Sequence, residues 1–207
     1  MRQERPRGLK RRAFAVSLYL ALMGFSILGS SLLGSSLIGF TPVYAQDQSE
    51  RLNTLFKALH DAPDAEIARQ IANRIQMIWS KPKNPTADLF MKKAAEAMNA
   101  DDVPVAIELL DRVITIEPEF TEGWNRRATA FYMLEDYTRS LSDVMETLQR
   151  EPRHFGALTG LGLILIERGE LTRAREAFAK ALDIYPLLET AKDAIESIDR
   201  QTGATQL

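Results

Sequence analysis

The sequence contains no cysteine. That absence excludes disulfides, thiolate metal sites and a cysteine nucleophile. It has two histidines, His60 and His154, in 207 residues, too few for a histidine-rich metal centre. It also lacks a glycine-rich phosphate loop, a His-Glu-x-x-His pair and a Gly-x-Ser-x-Gly elbow. The nearest glycine cluster, Gly156 to Gly162, lies inside an apolar helical pattern and reads as close packing. His154 sits in Glu151-Pro152-Arg153-His154, away from Glu135 and Asp136, and reads as a solvated turn histidine with no carboxylate brought to it. Asp101-Asp102 reads as a helix cap, because no EF-hand spacing follows it. No catalytic group, metal or cofactor is expected, and the chain reads as non-enzymatic.

Charge is unevenly spread. Of 26 bases and 28 acids, six bases and one acid lie in residues 1–45, which leaves 20 bases and 27 acids beyond them. So acidic a remainder argues against nucleic acid as a partner, since phosphate binding needs a basic patch. The six bases precede an uncharged run, Ala13 to Phe40, that ends near Val43-Tyr44-Ala45. A basic start, an apolar centre and small residues at the end form a signal peptide. Residues 1–45 are therefore expected to be removed, with Gln46 the first residue of the mature chain. The run is long for a signal, and a run of this length also spans a bilayer, so retention as a membrane anchor is the alternative. Either outcome places residues 46–207 across the inner membrane, in the periplasm or tethered facing it, because the basic flank stays inside. Arg11-Arg12-Ala13-Phe14 is similar to a twin-arginine core, but Lys10 stands where Ser or Thr is usual, which favours the general secretory route.

Pro118, Pro152 and Pro186 are each 34 residues apart. The segments before them align without gaps. One reads Phe90, Ala94, Ala97, Ala106, Leu110, Val113, Pro118; the next reads Trp124, Ala128, Phe131, Ser140, Val144, Thr147, Pro152. The last reads Leu158, Leu161-Gly162, Leu165, Ala174, Phe178, Ala181, Pro186. Apolar residues recur at three- and four-residue steps, which is a helical face. Each unit breaks in its middle, at Asn99 to Asp102, at Glu135-Asp136 and at Arg168 to Glu170. Asp102 fits an N-cap with Pro104 in the first turn, and Gly169 fits a left-handed helix end. The small residues Ala94, Ala128 and Gly162 stand where two helices must approach closely.

This spacing resembles the tetratricopeptide repeat, on Leu161-Gly162, Ala174-x3-Phe178, Trp124 and the three prolines. Ser140 departs from the usual Ala, and Lys93 and Arg127 from the usual Leu. The resemblance covers Ala87 to Pro186 and implies an all-α solenoid of helical hairpins, a right-handed superhelix with repeats at 87–120, 121–154 and 155–188. Stacking is what buries a hairpin's apolar face, so the end units need caps. Residues 189–207 read as an amphipathic C-terminal cap with Ala191, Ala194, Ile195 and Ile198 on one side. Residues 46–86 hold two apolar helical patterns, one on Leu52, Leu55, Phe56 and Leu59, the other on Ile67, Ile71, Ile75, Ile78 and Trp79. They are joined by the turn Asp61 to Asp64 and read as a degenerate repeat closing the N-terminal end; a docking helix for a partner is the alternative.

In this family the first helices of stacked hairpins line a concave groove. The resemblance implies that Met91, Ala95 and Met98, then Asn125, Thr129, Tyr132 and Met133, then Thr159, Leu163 and Ile166 face it. Methionine-rich apolar surface suits a helix or extended peptide of another protein; packing between repeats is the competing reading for Met98, Met133 and Ile166. Some family members clamp a terminal carboxylate with Lys and Asn, but Met91 and Ala95 stand at the comparable positions here. The stretches Trp124 to Ala128 and Glu151 to Leu158 resemble exported repeat proteins of Gram-negative bacteria. The resulting expectation is an interaction scaffold of the bacterial cell envelope, or else a membrane-tethered assembly factor or chaperone for an exported client.

Overall fold

The computed structural model describes residues 43–205, and among them it forms nine helices and no strand. Two helices come first, α1 (Val43–His60) and α2 (Ala65–Trp79). Three hairpins follow: α3 (Pro85–Asn99) with α4 (Val103–Ile116), α5 (Thr121–Met133) with α6 (Tyr137–Arg150), and α7 (Phe155–Glu167) with α8 (Leu171–Ile184). Helix α9 (Glu189–Thr205) ends the fold. None of these helices is long and apolar enough to cross a membrane. Residues 1–42 of the expected signal lie outside the described residues, while Val43-Tyr44-Ala45 form the first turn of α1.

The 34-residue period is visible in the backbone itself. Asp101, Glu135 and Gly169 all take the left-handed conformation, at φ 60°, 57° and 73°. At each, two hydrogen bonds close the preceding helix. Asp102 N donates to Ala97 O at 2.9 Å, Asp136 N to Phe131 O at 2.9 Å and Glu170 N to Leu165 O at 2.8 Å. The left-handed residue donates inside that bond, across three residues rather than five, to Met98 O, Tyr132 O and Ile166 O. This is the Schellman helix end, three times over. Asp102 and Asp136 then cap the next helix, accepting from Val105 N and Arg139 N.

Equivalent core positions are buried in every copy. Ala106, Ser140 and Ala174 are fully enclosed, as are Val113, Thr147 and Ala181. Ser140 fits the alanine slot because its hydroxyl donates to Ala128 O at 2.8 Å. Arg127, standing where the repeat usually has Leu, becomes a bridge. It donates to both carboxylate oxygens of buried Asp143, at 2.7 and 2.8 Å, and to Asp111 at 2.5 Å, so one side chain ties α4, α5 and α6. Its guanidinium is held protonated above its ordinary value, first by the Asp143 hydrogen bonds. At the C-terminal end, Ala191 and Ile198 are buried and Ala194 and Ile195 partly buried in the core shared with α7 and α8.

The N-terminal pair departs from expectation. Its apolar face does not close the first repeat. Leu52, Leu55, Phe56, Leu59, Ala68, Ala72, Ile75 and Trp79 form one core with Phe155 and Tyr185 of the third repeat. Arg153 donates to Asn53 at 2.7 Å and lies 4.2 Å over the Phe56 ring. The His60 ring nitrogen Nδ1 lies 3.2 Å from the Asp183 carbonyl. The pair thus folds back over the turns flanking α7 and α8, because aromatic rings there match its apolar face. In the first repeat, Leu89 and Val105 stay exposed.

Of the three glycines on α7, close packing explains Gly162 and bears on Gly156, where a Cβ would stand 3.3 Å from His154 Cε1. A Cβ on Gly162 would stand 2.5 Å from Cζ of Phe178, whereas one on Gly160 meets only Val144 Cγ2 at 3.9 Å. Gly162→Ala is expected to lower the unfolding free energy by about 1–2 kcal/mol despite a helix-propensity gain of about 1 kcal/mol. Glu135→Gly relieves a left-handed non-glycine residue and is expected to raise it by about 1 kcal/mol. Urea unfolding followed by circular dichroism measures both.

Candidate functional site

Helices α5 and α7 run side by side as the first helices of successive hairpins. Between them opens a cavity of about 190 Å³. Its floor is core: Ala128 and Val144 from one hairpin, Ala157 and Ile164 from the next. Its rim brings together five of the nine residues expected to bind a partner, Asn125, Thr129, Tyr132, Thr159 and Leu163. Thr129 and Leu163 are exposed and the other three partly buried. Both threonine hydroxyls donate to their own helix, to Asn125 O at 3.1 Å and Phe155 O at 2.8 Å. Asn125 donates through its amide nitrogen to Glu122 at 3.1 Å, which leaves its amide oxygen without a partner among the described residues. Burial, then the charge of Glu167, raises the Tyr132 phenol above its ordinary value, so it remains a hydrogen-bond donor. The site is an apolar trough with a few hydrogen-bonding groups on its edge.

The other four expected residues part company. Met91 and Met98 line a second cavity of about 210 Å³, with Ala95 and Arg126. Met133 is exposed at the end of α5 and lines neither cavity. Ile166 lines neither cavity. It is partly buried and packs against the core shared by α7, α8 and α9, around Leu165 and Ala174. Gly156 and Gly160 were missed as site residues and assigned to packing instead. Both line the cavity; the missing side chain of Gly160 leaves it open, while a Cβ on Gly156 would press on the His154 ring at 3.3 Å. The signal was present, since Gly156, Gly160 and Leu163 follow one helical face at steps of four and three.

His154 corrects a second expectation. It is 3% exposed, not solvated. Its Nδ1 accepts from Ala157 N at 3.0 Å, capping α7, and its Nε2 lies 3.2 Å from the Glu122 carboxylate. Trp79 of α2 stacks on the ring, with centroids 4.2 Å apart and planes 12° from parallel. A histidine and a carboxylate are therefore brought together, across 32 residues of sequence. The pair is sealed from any substrate, and its work is to join α5, α7 and the N-terminal helices. Burial by itself pushes the Glu122 carboxyl up, but His154 and then Arg126 outweigh it and hold it below its ordinary value. Among the described residues, no three His, Asp or Glu side chains are grouped to hold a metal ion.

The tetratricopeptide-repeat family model matches residues 134–188. A TPR repeat-containing protein of Rhizobium etli is 37% identical over 149 residues, which cover 72% of this chain and 73% of that one. The chain belongs to the tetratricopeptide-repeat proteins. A small glutamine-rich tetratricopeptide-repeat protein of Mycosarcoma maydis is 24% identical over 119 residues, and the match spans 34% of its length. Among solved structures, the tetratricopeptide-repeat domain of Sgt2 from Aspergillus fumigatus superposes with a TM-score of 0.57 at 20% identity, covering 61% of this chain and 85% of that one. The first such domain of Spaghetti (RPAP3), bound to the HSP90 peptide SRMEEVD, gives 0.55 at 16%, covering 57% and 94%. These likenesses establish the helical-hairpin solenoid.

Glu122 makes a pH prediction. A carboxylate whose folded pKa lies below its unfolded value contributes stability above the unfolded value, here near 4.5, and loses it as pH falls through the folded one. The urea midpoint is therefore expected to fall as pH drops below about 4.5. Glu122→Gln should be less stable at neutral pH and show a shallower acid fall.

Proposed function

We propose that this tetratricopeptide-repeat protein is a non-enzymatic scaffold that holds a helix or extended segment of another protein in the trough between α5 and α7. The observation that carries the reading is the convergence of Asn125, Thr129, Tyr132, Thr159 and Leu163 on one open cavity with an apolar floor. An apolar side chain of the partner fills the trough, while the Asn125 amide oxygen accepts a backbone N–H and the Tyr132 hydroxyl donates to a carbonyl. A structurally similar domain, the first of Spaghetti (RPAP3), is bound to an HSP90 peptide, which supports a peptide as the ligand class. The particular terminal-carboxylate clamp has no counterpart here, with Met91 and Ala95 at the comparable positions. The acidic balance of residues 46–207 supports a protein over a nucleic acid. The basic start and uncharged run of residues 1–45 support export, and with it a role in the cell envelope, where the chain brings envelope proteins together.

Gly160→Leu tests the site without removing a core side chain. The new side chain enters the trough, because ordinary space surrounds the Cβ position. A photo-crosslinking residue at Thr129 is expected to capture a defined envelope protein in intact cells. Capture should fall by about tenfold or more with Gly160→Leu, while the circular dichroism spectrum is retained. Unchanged capture by the folded variant would remove the trough as the binding site.

A further inference from the structure

A second surface lies far from the trough in sequence and is built differently. The C-terminal half of α2 and the linker after it face the start of α1 across a cavity of about 640 Å³. Four cations ring it: Arg51 on α1, Arg74 on α2, and Lys81 and Lys83 in the linker. No carboxylate is among the described residues that line it, while the Glu117 carboxylate accepts from the Lys83 backbone N–H at 3.0 and 3.1 Å. Arg74, Met77 and Ile78 follow one face of α2, at steps of three and one, and Lys81 stands in the linker just beyond it. Met77 is 65% exposed, the most exposed large apolar side chain among the described residues. An apolar tip set among four cations, on a domain with more acids than bases, is the amphipathic chemistry of a surface that meets anionic lipid.

Position in the chain selects the bilayer over an acidic protein segment. The uncharged run Ala13 to Phe40 ends three residues before α1 begins at Val43. Arg51 stands within the first turns of the same helix. When retained as an anchor, a run of that length carries this end of the domain to the membrane, and the cations stand where phosphate headgroups are then met. The rest of the domain, being acidic, is repelled by the same headgroups, so the cluster also sets orientation.

We propose that the Arg51, Arg74, Lys81 and Lys83 cluster seats this end of the domain on an anionic bilayer, with Met77 dipping into the headgroup layer. The seat uses no residue of the α5–α7 trough and stands or falls apart from it. Gly160→Leu, which should abolish partner capture, is expected to leave it unchanged.

The chain has no cysteine, so Met77→Cys in the full-length protein creates a single thiol for an environment-sensitive fluorophore. Met145, 54% exposed on α6, supplies a control position as Met145→Cys. With phosphatidylglycerol-containing vesicles, the probe at 77 is expected to shift to the blue and become quenchable from the lipid chains. It should stay water-like with phosphatidylcholine alone, and the probe at 145 should stay water-like with both. Each cation removed should weaken seating by about fivefold, so Arg74→Gln with Lys81→Gln should weaken it by about twenty-five-fold. Circular dichroism confirms that the double variant is folded. Equal emission from position 77 on the two lipids would overturn the proposal. So would a matching shift at 145, or a shift with a poly-glutamate peptide and none with anionic vesicles.

Discussion

Each hairpin depends on two helices approaching more closely than ordinary side chains allow. Ala94, Ala128 and Gly162 make that approach, and all three are buried. Gly162 is the extreme case, with Phe178 filling the space a methyl group would need. Once the two helices of a unit are this close, their crossing is set, and the apolar residues on either side of the contact have one direction in which to stack. The Schellman ends at Asp101, Glu135 and Gly169 return the chain at the same angle each time. Repetition of a single contact thus builds the solenoid, and the trough between α5 and α7 is the space left between successive copies.

The second organising contact is not repeated. His154 caps α7, meets Glu122 of α5 and receives Trp79 of α2 on its face. It occurs where Phe120 stands one repeat earlier and Leu188 one repeat later, all three closing the same kind of turn. The polar ring does what an apolar residue does in the other copies and adds a hydrogen bond on each side. That addition lets the N-terminal pair dock on the third repeat. The turn side of the solenoid is thereby covered, while Leu89 and Val105 of the first repeat stay open.

Legibility follows the range of the interaction. Hairpin helices, their caps and the small contact residues recur at a fixed interval, so three copies reinforce one reading. Five of the expected residues meet on one cavity in the same register. Ile166 shares the register of Tyr132 but packs against the core shared with α8 and α9. His154 failed for a related reason. A histidine beside a proline turn looks solvated until a ring more than seventy positions away is laid upon it. Gly156 and Gly160 have a readable spacing along one face with Leu163, but only the distances to a would-be Cβ separate the open Gly160 from the tightly packed Gly162.

By itself, the sequence determined the all-helical repeat, its three hairpins, the close-approach positions and the acidic character of residues beyond 45. All of these follow from local periodicity and composition, which need no partner elsewhere in the chain. The tertiary structure alone decided where the N-terminal pair rests, that His154 and Glu122 meet, which glycine leaves a cavity open, and that four cations surround Met77. Those arrangements join residues that are remote in the chain, and the free energy that selects them is the burial of faces that only folding brings opposite one another.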